Sequence, residues 1–351
     1  GEKEPLKRVK VIRNTNFTMT GKMNLADVAE IEVEENALRT RTLKKGDIII
    51  EKSGGSQTQA VGRVVFFNID GEFSYSNFTA RLRVNNPLVL SKYLYLVLND
   101  YYQRKKTFGY QNGMGGLKNL DMDRYMDIPI PVPPIDIQNQ IIAECEKIDE
   151  EYNTTRMSIE AYRKKIEDLF NELDVISVGG YKLSLANGEK FLISIGQRVL
   201  NKELVENGSI PVYSANVFEP FGYVNELLIT DFSLDSVLWG IDGDWLVNFM
   251  PKDNQFYPTD HCGVLRCKTD EVNPRYLAHI LESEGKKMGF SRTYRASIDR
   301  VQSISFYIPD IAKQNEVVAK VQEIEMKIAD AEKHLESLQG KTSEILNKYL
   351  Q

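Results

Sequence analysis

The chain has 351 residues and is 42% hydrophobic, enough for about two cored domains. It has no run of roughly 18 apolar residues, so no membrane-spanning helix is expected. Its three cysteines (Cys145, Cys262 and Cys267) are too few, and odd in number, for a disulfide framework, which fits a reducing cytoplasm. The net charge of −6 does not by itself point to nucleic acid. Its distribution is uneven: residues 1–137 carry 20 basic and 16 acidic groups, whereas residues 174–312 carry 13 and 18.

In chain order, Gly1-Glu2-Lys3-Glu4 is charged and lacks the apolar segment of a signal peptide. Residues 47–50 and 62–67 read as strands around a turn-rich loop at 52–59, and 88–102 reads as a helix. A Gly113-Met114-Gly115-Gly116 loop follows, then a proline-rich strand at 128–134. After Gln138 the positions Ile141, Cys145, Ile148, Tyr152, Thr155, Ile159, Tyr162, Ile166, Leu169 and Leu173 step by four and three, a heptad seam. In the second half, strands are expected at 236–239 and 262–265 around a loop at 240–245, and a helix at 274–287. A second seam runs from Val317 through Val321, Ile324, Ile328, Ala331, Leu335, Leu338, Thr342 and Ile345 to Tyr349. No proline interrupts either run, and each is expected to be a rod of ~54 Å, at 1.5 Å per residue.

The two halves are a repeat. Asp123, Arg124, Ile128, Pro133, Ile135, Gln138, Asn139 and Ala143 recur 176 residues later as Asp299, Arg300, Ile304, Pro309, Ile311, Gln314, Asn315 and Ala319. Upstream the register is 183: Phe66, Phe73, Leu82, Arg83, Tyr93 and Leu94 meet Phe249, Phe256, Leu265, Arg266, Tyr276 and Leu277. The expected architecture is α+β, with two tandem domains (1–137 and 177–312), each followed by a long helix (138–176 and 313–351). The connectivity makes the helices antiparallel, with Ile141 near Tyr349 and Leu173 near Val317.

This duplicated order of strand-rich domain, proline strand, Gln-Asn and heptad helix resembles the specificity subunit of type I restriction-modification systems, over nearly the whole chain. The resemblance implies that each globular segment is a target-recognition domain reading one half of a bipartite double-stranded DNA site, with the helices setting the spacing. It implies methyltransferase subunits docked on the helices, an endonuclease motor subunit in the full complex, and S-adenosylmethionine on the methyltransferase. No catalysis, cofactor or metal is expected in this chain, and a cytoplasmic location is. One departure concerns the start. Residues 181–208 precede 210–216 in the second copy, whereas the matching point, 11–16, comes almost at the beginning of the first. The first domain is therefore expected to lack its opening segment, through truncation or excision from a fusion with an N6-adenine methyltransferase.

Other chemistry is poorly served. Asn273-Pro274-Arg275-Tyr276 is one residue from the Asn-Pro-Pro-Tyr motif of adenine methyltransferases, but its proline suits the start of a helix. Glu284-Gly285-Lys286 offers half of a nuclease motif at a helix end rather than on a strand. His261, Cys262 and Cys267 lack the further convergent ligands of a zinc site. No phosphate-binding Gly-x-x-x-x-Gly-Lys loop exists. For DNA contact the polar loop residues are the candidates: Lys52, Ser53, Gln57, Gln59, Arg63, Tyr110, Gln111, Asn112 and Lys118 in the first copy, and Asp242, Trp245, Arg292, Tyr294 and Arg295 in the second. Arg and Gln can read guanine and adenine edges bidentately, whereas Lys and Ser more often grip phosphate. The alternative is a coiled-coil protein-interaction adaptor without DNA binding, which the acidic second domain favours.

Overall fold

The computed structural model describes residues 5–113, 116–177 and 180–350. Met114 and Gly115 of the expected glycine-rich loop, and the charged residues 1–4, lie outside the described residues. The chain forms two compact units, one of Gly1–Arg156 with Lys333–Gln351, the other of Met157–Glu332.

The first unit contains β1 (Leu6–Ile12), β2 (Ala29–Glu34), α1 (Glu35–Arg41), β3 (Ile48–Glu51), β4 (Ser53–Gly55), β5 (Val64–Phe66), β6 (Phe73–Tyr75), β7 (Thr79–Leu82), α2 (Ser91–Gln103), β8 (Gln111–Asn112), β9 (Lys118–Leu120), α3 (Met122–Met126) and the first part of α4 (Ile135–Ser177). Among the described residues three small sheets form, in the orders β2-β1-β6, β5-β3-β7 and β4-β9-β8, with β1 parallel to β6. The Ile48-Ile49-Ile50 run is apolar throughout because β3 is covered on both faces. Ile48 and Ile50 pack with Tyr93, Leu96 and Leu98 of α2, and Ile49 points the other way, to Ile12, Val65 and Phe67.

The second unit repeats this plan. It contains the rest of α4, β10 (Tyr181–Ser184), β11 (Phe191–Ile195), β12 (Ile210–Tyr213), β13 (Gly222–Val224), β14 (Ser236–Gly240), β15 (Val247–Met250), β16 (Tyr257–Pro258), β17 (Cys262–Cys267), α5 (Pro274–Met288), α6 (Ile298–Gln302), β18 (Ser305–Ile308) and, as far as Glu332, α7 (Ile311–Leu338). β14 lies between β15 and β17 as β3 lies between β5 and β7, and β12 runs parallel to β16 as β1 does to β6. Val237 and Trp239 face the α5 side with Tyr276 and Leu277, and Leu238 faces Phe256 and Val264. The repeat seen in sequence is thus a repeat of topology.

The second copy's proline strand forms as expected: β18 pairs antiparallel with β10. The first copy's equivalent, 128–134, is not a strand. Pro129, Pro131 and Pro133 remove every other backbone donor, and among the described residues no strand lies beside it.

Both helical segments exist and run antiparallel. In the first unit, Ile141 and Cys145 of α4 share a core with Ile345, Leu346 and Tyr349 of α8 (Lys341–Leu350), and Glu144 accepts hydrogen bonds from Lys348 at 2.9 Å and the Tyr349 hydroxyl at 2.6 Å. In the second unit, Leu173 shares a core with Val317, Val318 and Val321, and Arg163 pairs with Glu332 at 3.0 Å. Every one of the twenty seam positions is buried or half-buried. The second helix departs from expectation, however. It breaks after Leu338, and Gly340 takes φ +79°, a left-handed conformation that ends a helix without the cost a side chain would bring.

The glutamine shared by both copies explains how each helix is fixed to its domain. The Gln138 side chain is fully buried; its Nε2 donates to the carbonyls of Leu88 at 2.7 Å and Pro133 at 2.8 Å, and its Oε1 accepts from Leu90 N–H at 2.8 Å. Gln314 makes the same three bonds, to the carbonyls of Glu271 and Pro309 and from Asn273 N–H. Leu90 and Asn273 are the N-cap residues of α2 and α5, so one side chain ties two helix starts together.

Candidate nucleic-acid interface

In both units the polar loops hang from one frame. Leu120 N–H donates to the Lys52 carbonyl at 2.7 Å, and Ala296 N–H donates to the Ile241 carbonyl at 3.1 Å. Leu120 and Ala296 are equivalent in the downstream repeat register, and Lys52 and Ile241 both follow the central strand of their sheet. What hangs from this frame differs between the units.

In the first unit the loops form a ribbon. β9 pairs with both β4 and β8, which brings Lys52, Ser53, Gln111, Asn112 and Lys118 together from two distant stretches of sequence. Gly54 permits the bulge in β4: its φ is +135°, and a Cβ there would come within 2.9 Å of the Asn14 and Glu51 side chains. Gln57 is exposed in the loop after β4, and Gln59 is half-buried beside Met19. Gln111 Oε1 accepts from Val61 N–H at 3.3 Å, and Asn112 donates to Asp121 at 3.0 Å. Asp121 also caps α3 through Arg124 N–H, and these bonds, the backbone one foremost, hold its carboxyl below the usual range.

Arg63 is a different case from its exposed neighbours. It makes a bidentate pair with the fully buried Glu51, at 3.0 and 2.6 Å, and donates to the Phe17 carbonyl at 3.0 Å. The hydrogen bonds to Glu51 raise the guanidinium further above its usual value despite its burial. Its donors are spent inside the domain, where they hold the 14–17 loop against the end of β3.

In the second unit no ribbon forms among the described residues; an isolated Ser291–Tyr294 bridge takes its place. Asp242 lies between Arg295, whose Nη2 is 2.9 Å away, and His261, and Arg292 lies 3.7 Å from Asp244. Trp245 is half-buried. Its Nε1 donates to the Glu282 carbonyl at 2.9 Å, and its ring covers Gly285, where a Cβ would come within 2.2 Å of it. Phe290 packs against Trp245 at 5.0 Å and stacks with Tyr294 at 5.8 Å. Trp245 therefore props up the loop, and Tyr294, Arg292 and Arg295 are its exposed members.

Three residues escaped the sequence reading. His261 joins Asp242 and Arg295, and Arg124 and Arg300 lie over the rings of Tyr110 and Tyr294. The last two carried a signal, since both belong to the identities of the 176-residue register. His279 and His334 stand away from the loops: His279 stacks on Phe170 at 4.1 Å and bonds Asp174, and His334 pairs with Glu151. Among the described residues no group of acidic, histidine or cysteine side chains is arranged to hold a metal, and no helix is long and apolar enough to cross a membrane.

The family model for the type I restriction modification DNA specificity domain matches twice, at residues 7–161 and 187–339. A Haemophilus influenzae protein described as a type I restriction enzyme specificity subunit is 32% identical over 130 residues, 35% of this chain and 30% of that protein. A Mycoplasma pneumoniae protein described as the N-terminus of a type I specificity subunit is 30% identical over 92 residues, 26% of this chain. The chain thus spans about half of the second relative and less of the first. Two solved structures share the fold at 17% identity. One is the S subunit of a type I restriction-modification system from M. genitalium, with a TM-score of 0.56 over 99% of this chain and 93% of that one. The other comes from work on assembly and conformational transition of the type I system, with a TM-score of 0.61 over 99% and 92%. Matched in both halves and carrying the duplicated scaffold, this chain belongs to the type I restriction-modification DNA specificity family.

Proposed function

We propose that the chain reads a bipartite double-stranded DNA sequence, one half-site per unit, as the non-catalytic recognition component of a restriction-modification complex. The observation that carries this reading is the pair of frames: an identical backbone attachment bears a polar ribbon in one unit and an Asp-Arg-His cluster in the other. A scaffold kept constant beneath two unlike polar surfaces suits two different base sequences. On this reading methyltransferase subunits dock along the helices and supply S-adenosylmethionine chemistry, and an endonuclease motor subunit joins them. The antiparallel helices act as the spacer between half-sites.

Methylome sequencing of the source strain gives the candidate motif. Binding of the chain, co-expressed with its methyltransferase, is then measured on that motif and on variants of each half. Loss of binding from changes in either half, with indifference to the sequence between them, is the expected result. Equal affinity for all duplexes would refute it. Deleting one heptad from each helix should shorten the tolerated spacer by about three base pairs, from ~10 Å of helix rise.

A further inference from the structure

In each unit one arginine lies over a tyrosine ring. The guanidinium carbon of Arg124 is 5.5 Å from the Tyr110 ring centroid, and that of Arg300 is 4.0 Å from that of Tyr294. The arginines are equivalent: they stand 176 residues apart, on the short helices α3 and α6 that follow the loops. The tyrosines are not equivalent. Tyr110 comes immediately before β8, whereas the register carries Tyr294 onto Lys118, at the start of β9. Two unrelated loop conformations have thus brought a phenol ring under the same guanidinium. What persists while the loops change is the arginine and its aromatic seat.

These two arginines also differ from most others in the chain. Arg63, Arg83, Arg275 and Arg295 are each neutralised by a carboxylate, from Glu51, Asp47, Glu325 and Asp242 respectively. Among the described residues neither Arg124 nor Arg300 has an ion pair. Asp123 adjoins Arg124 in the sequence without forming an ion pair with it, and Asp121, three residues before it, spends its oxygens on Arg124 N–H and the Asn112 amide. Among the described residues the Arg300 side chain makes one bond, to the Arg295 carbonyl at 2.7 Å, which leaves further donors unspent. Arg124 is exposed and Arg300 half-buried. A guanidinium held over a ring face, with no carboxylate paired to it, is set to bind a phosphate.

We propose that Arg124 and Arg300 each grip one phosphate of the DNA backbone beside the reading loops, giving both half-sites the same sequence-independent contact. The proposal rests on the DNA-recognition reading above. It divides the interface between a repeated phosphate clamp and divergent loops that select bases.

The test uses the full chain co-expressed with its methyltransferase and a labelled random-sequence duplex of ~30 base pairs, with binding measured by anisotropy from about 25 to about 150 mM salt, where each phosphate contact contributes about 0.9 to the slope of log affinity against log salt. Arg124→Gln and Arg300→Gln should each reduce the slope by about 0.9, and the double variant by about 1.8. Arg124→Lys should keep the slope, because the charge remains. Arg39→Gln, an exposed charge on α1, should leave it unchanged. Tyr110→Leu should weaken binding at constant slope, because the charge stays but its seat is lost. Circular dichroism melts matching wild type establish that each variant is folded. If wild type binds and the glutamine variants keep its slope, the clamp is overturned while DNA recognition stands. A defect confined to one base pair of the target would overturn it too, by assigning base readout to the arginine. If wild type fails to bind even at about 25 mM salt, the recognition reading falls and the clamp with it.

Discussion

Gln138→Leu keeps the side-chain volume and removes all three hydrogen bonds that fix α4 to its domain. The variant leaves Leu90 N–H without its acceptor and the carbonyls of Leu88 and Pro133 without their shared donor. An orphaned buried polar group costs about 1–3 kcal/mol. The lone N–H takes a middle value, and the two carbonyls, each with a second lone pair, take the lower end, for a total of about 4 kcal/mol. For a unit of this size, about 2–4 °C is lost per kcal/mol, so the first unit's melting temperature should fall by ~8–16 °C. Calorimetry is the assay, because the two units can melt separately and only one transition should move. Gln140→Leu, two residues along and exposed on the same helix, is the control and should stay within about 0.5 kcal/mol of wild type. A Gln138→Leu transition indistinguishable from that of the control would refute the staple. Gln314→Leu should reproduce the effect on the other transition.

Arg63→Ala should destabilise the first unit by about 3–5 kcal/mol, read by urea unfolding, because it strands the buried Glu51 carboxylate; a loss below about 1 kcal/mol would show that the pair is dispensable. Burial pushes the thiols of Cys145 and Cys262 up to about 12, and Cys267 is raised by the same cause, so a disulfide reagent at about pH 8 should label none of the three until denaturant is added. Prompt labelling of the native chain would contradict that burial. Asp121, held below its usual range, contributes stability that is fully present above about pH 4 and is lost as pH falls through its lowered value. The advantage of wild type over Asp121→Asn in melting temperature should therefore shrink as the solution is acidified, and a gap that widens would reverse the sign.

The long-range plan was legible because it is written in periodic terms. Heptad spacing revealed the seams, and the two registers revealed the duplication, down to the meeting of Ile141 with Tyr349 and of Leu173 with Val317. The break at Gly340 was hidden by the same periodicity, since Leu338, Thr342 and Ile345 continue the seam through it. Loop residues were identifiable as polar stretches between strands, but their commitments were not. Whether Arg63 faces solvent depends on Glu51 on a neighbouring strand, and whether Trp245 does depends on Gly285 forty residues away. The strand expected at 128–134 failed for a related reason: a strand is a property of two segments, and composition reports on only one.

The closure of the first unit by α8 bears on how the protein is made. Ile345 and Leu346 complete a core whose other members, from Ile48 to Cys145, leave the ribosome early. The 176 residues of Met157–Glu332 are synthesised in between, which at ~5–20 residues per second takes about 9–35 s. During that interval Ile141 and Cys145 lack their α8 partners, and the nascent domain offers that apolar face to chaperones or to neighbouring chains. The second unit needs nothing beyond Glu332 and can close while the chain is still growing. Of the two units, the one begun first is thus the one finished last, and a lesion in α8 reaches a core built mostly from residues more than 190 positions earlier in the chain.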